Sequence, residues 1–324
     1  MKITKRPVLI LLAAVSLISN IAFAAPTTII EFSGDTIYPE SVSWSNQQNR
    51  FFVGSVRHGG IGTVDMNGQY KPFAQDGALP STFGINIDDT HQKVWVTIDD
   101  LGTGASSSAE TQGKLAAVAV FDSKTGKKLA YYDMHSIGPG PRLANDVAVD
   151  KDGNAYVTDS YAHVVYRIDQ AGKLSIFASS PLFETGEMFG LNGIAVHPDG
   201  YLLVGAWNSG ELFRIALDDP KNITKLRIGE TLKGMDGITL LDAQNLIATI
   251  NVGKPRAVRL QSNDGWKTAQ IAETMPAAST FPSSATRAGN DVWVLNTRLD
   301  TLIDPKAEKV NSFILQSFKE SAKE

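Results

Sequence analysis

Apolar and polar positions alternate along this chain in short runs. Val, Ile, Thr, Tyr, Phe and Trp fill segments of four to six residues, separated by Asp-Gly, Asn-Gly, Pro-Asp-Gly or Lys-Thr-Gly turns. That pattern predicts β-hairpins, and no stretch sustains the three-to-four-residue spacing of a long amphipathic helix. One phrase returns six times: a polar head, often followed by Gly, an apolar strand, a turn carrying Asp, Asn or Gly, and a second apolar strand. The copies begin at Glu40, Gly84, Asn145, Asn192, Asp236 and Ser284. The third reads Asn145-Asp-Val-Ala-Val-Asp-Lys-Asp-Gly-Asn-Ala-Tyr-Val-Thr, and the fourth Asn192-Gly-Ile-Ala-Val-His-Pro-Asp-Gly-Tyr-Leu-Leu-Val-Gly.

Successive heads lie 44 to 61 residues apart, a period that fits propeller blades rather than helical solenoids. The predicted fold is therefore all-β, a six-bladed β-propeller over residues 25–318, each phrase supplying the inner two strands of one blade. The segments Thr27–Ser33 and Asn311–Phe318 both read as strands. They are expected to pair in the last blade, closing the ring so that no long sheet edge is left open. The widest interval contains residues 101–113, a small and polar stretch without an apolar pattern. It reads as a mobile insertion between the second and third strands of blade two, over the same mouth as the heads. Residues 319–324 read as a solvated tail.

The first residues change the picture of where the protein works. Lys2, Lys5 and Arg6 precede an apolar run from Val8 to Ile18, and Ala22-Phe23-Ala24 follows. This is the three-part layout of a secretory signal covering residues 1–24, with cleavage expected before Ala25 and a periplasmic or secreted product. The apolar run is too short for a comfortable membrane span. The whole chain of 324 residues carries a net charge of −4, which becomes −7 without those three cations. A mildly acidic surface with no basic patch argues against nucleic acid and anionic lipid as partners, so a small-molecule substrate and a monomer without membrane contact are expected. The chain has no Cys. Stability must then come from burial, without disulfides.

Four of the six heads carry oxygen donors. In a propeller the first strand of each blade lines the central channel, so Glu40, Asn145, Asn192 and Asp236 should converge at one mouth although they are far apart in sequence. Two carboxylates and two amide oxygens without Cys or His suit a hard cation, Ca2+ above all, with Mg2+ or Mn2+ as alternatives; zinc would call for nitrogen or sulfur donors. Asn and Asp before Gly are also common turn residues. Here, however, the turns already have their own, such as Asp152-Gly153 and Asp199-Gly200.

The series Tyr38-Pro-Glu40, Leu143-Ala-Asn145-Asp, Leu191-Asn192-Gly-Ile-Ala-Val and Met235-Asp236-Gly-Ile resembles the gluconolactonase, senescence-marker-protein and luciferin-regenerating-enzyme superfamily. Diisopropylfluorophosphatase-type phosphotriesterases share its metal-binding pattern. Arg57-His58 and the third phrase are similar to plant proteins labelled calcium-dependent phosphotriesterase-like. The resemblance runs from about Tyr38 to Thr297. It implies a calcium ion held by Glu40, Asn192 and Asp236, with Asn145 as fourth ligand or substrate contact, and Asp236 as a candidate general base. One departure stands out: sugar-lactonase members often carry Arg where this chain has Leu143, and Arg142 is one place off. That counts against an aldonolactone as substrate.

The loops after each second strand should ring the same mouth. They hold His58, Asp99, Asp100, Asp159, Ser160, Trp207, Asn208, Asn251, Asn296 and Arg298. His58 is the candidate acid/base outside the metal set, since imidazole titrates near neutrality. No G-x-S-x-G elbow, P-loop or H-E-x-x-H is present, so serine-hydrolase, nucleotide and zincin chemistries lack support. The expected activity is calcium-dependent hydrolysis of an ester-like bond, with a lactone ahead of a phosphotriester. A non-catalytic, metal-stabilised binding propeller is the alternative.

Overall fold

The computed structural model describes residues 27–77, 79–184 and 189–319. The expected export segment and residues 320–324 of the expected tail lie outside them. Among the described residues twenty-five strands form six sheets around one axis. After β1 (Ile29–Ser33), blade one contains β2 (Val42–Ser45), β3 (Arg50–Gly54), β4 (Ile61–Val64) and β5 (Tyr70–Ala74), and blade two β6 (Thr82–Asp88), β7 (Lys93–Asp99), β8 (Ala116–Asp122) and β9 (Lys128–Asp133). Blade three is built of β10 (Ala144–Val149), β11 (Ala155–Asp159), β12 (Val164–Ile168) and β13 (Leu174–Ser179), and blade four of β14 (Leu191–His197), β15 (Tyr201–Ala206), β16 (Leu212–Ala216) and β17 (Ile223–Lys225). Blade five has a fifth strand: β18 (Arg227–Ile228) lies parallel to the outer β22 (Thr268–Pro276), beyond β19 (Met235–Leu240), β20 (Asn245–Ile250) and β21 (Arg256–Gln261). In blade six, β23 (Pro282–Ala288), β24 (Asp291–Asn296) and β25 (Ser312–Lys319) are completed by β1.

Five phrase heads thus lie within the first residues of the innermost strand of their blade and Glu40 two residues before β2, and the two strands of the phrase are the inner pair. β1 and β25 run antiparallel with Ile29 opposite Gln316 and Ser33 opposite Ser312, which is the expected closure. β25 extends one residue further than expected, because Lys319 pairs with Asp291 of β24 rather than starting a tail.

Local chemistry explains the hairpins. In the turn joining β10 to β11, one Asp150 carboxylate oxygen accepts from the backbone N–H groups of Asp152 and Asn154, and Gly153 takes φ of 84°. That geometry suits Gly, which lacks the Cβ that would clash. Between blades the sheets pack through aromatic and branched side chains. Phe51 of blade one meets Trp293 of blade six edge-on at 5.8 Å, with Phe313 and Tyr38 in the same fully buried cluster. Each such ring contributes about 1.5–3 kcal/mol on burial. Among the described residues the one α-helix is α1 (Leu299–Ile303), in the connection from β24 to β25. No helix among them is long and apolar enough to cross a membrane.

Candidate functional site

At five of the six heads the innermost strand is bulged, whereas β2 pairs regularly with β3 and Glu40 lies just before it. In blades two to five one extra residue enters the inner strand at the head, between Thr82 and Ile85, Ala144 and Val147, Leu191 and Ile194, and Met235 and Ile238. In blade six the bulge lies between Pro282 and Ser284. Such bulges locally break the ladder and re-aim side chains. The Gly of the phrase has a separate cause, close packing of one blade on the next. A Cβ on Gly193 would lie 2.5 Å from the Asp236 carbonyl oxygen, and one on Gly237 would lie 2.6 Å from that of Ser283.

Hydroxyl groups then hold the heads in register around the ring. Thr97 and Thr158, each on the second strand of its blade, donate to the carbonyl oxygens of Asn145 and Asn192 in the following blade, both at 2.6 Å. Thr249 donates likewise to Ser283 at 2.9 Å, and the Ser283 hydroxyl donates to the Glu40 carbonyl. The backbones of Glu40, Asn145 and Asn192 are thus tied to a neighbouring blade before any ligand arrives.

Glu40, Asn145, Asn192 and Asp236 line one cavity of about 100 Å³ and are each 5–8% exposed. Blades one, three, four and five supply these donors, whereas blade two contributes Phe83 and the connection entering blade six contributes Phe281. Leu101 and Thr103 reach the cavity from the insertion. That insertion, expected to be mobile, is pinned in turns by the Asp100 carboxylate, which accepts from the Gly102 N–H and the Ser107 and Thr111 hydroxyls. It also docks on blade one through the Ala105 N–H to the Arg57 carbonyl.

The electrostatics of the cavity are lopsided. Burial pushes the Asp236 carboxyl up to about 8, against hydrogen bonds from Asn192 and Asn251 that favour its charged form. Burial also holds Glu40 well above the carboxylate range, reinforced by repulsion from Asp236 and Asp146. Among the described residues no Lys, Arg or His lines the cavity. Two neighbouring carboxylates without a counter-charge must share protons or bind a cation. The donor set fits a hard divalent ion: two acidic and two amide oxygens, converging and shielded from bulk water. Among the described residues no group of three or more His, Cys, Asp or Glu offers a rival metal site.

The structure brings all four expected ligands together and leaves His58 outside. His58 is exposed, its Nε2 lies 2.9 Å from the Thr36 hydroxyl, and the cavity lining includes Val56 of that loop but not the imidazole. Of the other loop candidates, Trp207 and Asn251 line the cavity. They form a relay in which the Trp207 indole N–H donates to the Asn251 amide oxygen at 2.9 Å and the Asn251 amide donates to Asp236. Asp159 instead serves the scaffold, accepting from the Leu143, Tyr161 and Ala162 N–H groups. Leu143 lines the cavity, while buried Arg142 turns to the Tyr166 hydroxyl and the Gly138 carbonyl.

Asp146 is a residue that sequence reasoning passed over. It lines the central channel of about 240 Å³ beneath the donors, and burial raises its carboxyl to about 7. Its carboxylate accepts from the Val147 and Ile194 N–H groups, bridging blades three and four. The signal was its place in the phrase, where blades four and five carry Gly193 and Gly237 instead.

No family model and no curated protein matches the sequence. Solved structures do match in fold. The Malassezia sympodialis allergen Mala s 1 is 16% identical with a TM-score of 0.68, covering 91% of this chain and 96% of its own. A luciferin-regenerating enzyme is 12% identical with a TM-score of 0.63, covering 90% and 95%. A Xanthomonas campestris gluconolactonase, XC5397, is 14% identical with a TM-score of 0.63, covering 90% and 89%. A virginiamycin B lyase from Staphylococcus aureus is a further chain of similar fold. The chain is a six-bladed β-propeller built like these proteins, and such a scaffold hosts more than one chemistry.

Proposed function

We propose that this protein is an exported hydrolase of an ester-like bond, a lactone in the first place, which uses a divalent cation at the channel mouth. The observation that carries the reading is the convergence of Glu40, Asn145, Asn192 and Asp236 in one cavity with no basic side chain among its described lining residues. These four residues would hold Ca2+, or Mg2+ or Mn2+ in its place. Such an ion, when bound, supplies Lewis-acid polarisation of a carbonyl or phosphoryl oxygen. Asp236 is the candidate general base, its carboxylate taking the proton of the attacking water while Asn192 and Asn251 orient it. Water adds to the carbonyl carbon, the ring C–O bond breaks, and the alkoxide leaving group is protonated, giving a hydroxy acid. The apolar upper wall limits bulk water around the reacting groups. His58, outside the cavity, has no proton-transfer role in this reading.

That same apolar wall favours a second reading, in which the cavity binds an apolar ligand without turning it over. The experiment is a screen of purified protein, lacking residues 1–24, over lactones, aryl esters and phosphotriesters, with calcium and with chelator. Calcium-dependent turnover that disappears in a folded Asp236→Asn variant supports the hydrolase. Turnover indifferent to chelator removes the ion from the reaction. If no compound is turned over, the binding propeller takes precedence.

A further inference from the structure

Above its polar floor the cavity is walled by carbon. Phe83, Leu143, Trp207 and Phe281 surround the donors, and Leu299 and Leu302 of α1 close one side. Ile303, at the end of α1, also lines the cavity yet is 59% exposed, so the wall continues to the protein surface there. Trp207 and Phe189 meet edge-on at 5.7 Å, and Phe189 stacks on Tyr161 at 5.9 Å, which fixes the aromatic side of the wall. Polar groups free to serve a ligand are few. The one donor on Trp207 is given to Asn251, and the Asn251 amide is engaged by Trp207 and Asp236. Among the described lining residues Thr103 supplies the one side-chain hydroxyl.

We infer that the substrate is a lactone or ester carrying an alkyl or aryl substituent, its carbonyl end at the donor floor and its substituent laid between Trp207 and α1 towards Ile303. This rests on the hydrolase reading above and narrows its substrate class. A polyhydroxylated lactone would bury hydroxyls against Phe83, Leu143 and Phe281, where each lost hydrogen bond to water goes unreplaced. An alkyl tail loses nothing there, and each methylene buried along the wall should tighten binding about fourfold. The cavity is small, so the ring fills it and a long substituent must emerge past Ile303.

The test compares kcat/KM for an unsubstituted δ-lactone, δ-lactones with progressively longer alkyl tails, and δ-gluconolactone, all with calcium. In parallel, calorimetry measures binding of alkyl δ-lactams, which lack the labile C–O bond. Ile303→Ser, at an exposed position where folding is not at stake, should lower kcat/KM more for long-tailed lactones than for short ones. Expected are a rise in both kcat/KM and lactam affinity with tail length, and δ-gluconolactone turned over at least tenfold less efficiently than a tailed lactone, within the roughly hundredfold by which an apolar pocket discriminates against an added hydroxyl. Lactam affinity that grows with the tail while no lactone is hydrolysed would keep the apolar-ligand assignment and sink the hydrolase reading. Flat tail dependence, δ-gluconolactone turned over as well as the tailed lactones, or neither binding nor turnover of any tailed compound overturns the inference.

Discussion

Replacing Asp236 by Asn should make the metal-free protein less sensitive to alkali. Asp236 sits 5% exposed beside Glu40, and its carboxyl is pushed up to about 8 chiefly by burial. In the unfolded chain the same group titrates near the ordinary value of 3.8. The folded state therefore holds a proton that the unfolded state gives up. Stability from this group is complete below the unfolded value and is lost as pH rises through the folded one. Between pH 7 and pH 9, with the folded value near 8, that loss amounts to about 1.4 kcal/mol for Asp236 alone. Glu40 shifts in the same direction and adds to it. In a propeller of this size the Asp236 share corresponds to about 2–4 °C in Tm. Asn keeps the shape and the carbonyl acceptor but cannot titrate, and it relieves Glu40 of a neighbouring charge. Urea unfolding in chelator at the two pH values should show wild type losing stability and Asp236→Asn losing at least 1 kcal/mol less, on the order of the linkage figure. Calcium should reverse the trend in wild type, because the ion needs both carboxylates deprotonated; a hundredfold excess over Kd adds about 2.7 kcal/mol. Identical pH slopes for the two proteins in chelator would refute the claim that the site holds Asp236 uncharged. Absence of any stabilisation by calcium, magnesium or manganese would remove the ion.

Three further outcomes follow from neighbouring features. Asn251→Ala cuts the link from Trp207 to Asp236 and should lower turnover roughly tenfold to a hundredfold, the scale of losing one charge-assisted hydrogen bond, with calcium-dependent Tm retained; unchanged kinetics would show that Asp236 needs no such support. Thr158→Val leaves the Asn192 carbonyl without its buried donor and should cost about 1–3 kcal/mol by denaturant unfolding, while Thr158→Ser should restore most of it. Asp99, fully buried at the end of β7 with Oδ2 lacking a hydrogen-bond partner, is held well above the carboxylate range chiefly by burial; the stability of Asp99→Asn relative to wild type should therefore rise with pH, and a constant difference from pH 5 to 9 would contradict this.

Much of this molecule is readable before any coordinates, because a period-two pattern punctuated by Asp-Gly turns repeats six times. Phase within the phrase was enough to bring Glu40, Asn145, Asn192 and Asp236 into one cavity, and strand chemistry at both ends was enough for the closing pair. What escaped depends on contacts between blades. His58 follows Ser55, whose hydroxyl accepts from the His58 N–H, and precedes Gly59 and Gly60 with positive φ; that turn carries the ring towards Thr36 rather than the mouth. Phe281, Leu299 and Leu302 build the wall from outside the repeating phrase, so no periodicity marks them. The threonines at 97, 158 and 249 were visible at the end of the second strand in three copies. Their role emerges only when one blade lies against the next.

The pairing of β1 with β25 also sets the order in which the molecule can be assembled. Ile29 meets Gln316 across nearly the whole length of the chain, a contact of the costliest kind in loop-closure entropy. The hairpins of blades one to five are local and can form as they leave the ribosome, while β1 waits without its partner until β25 has been synthesised. Until that moment the first and last blades face each other across an unsealed seam, with the Phe51, Trp293 and Phe313 cluster still incomplete. Ring closure is then expected to come last in folding, after the local hairpins that it joins.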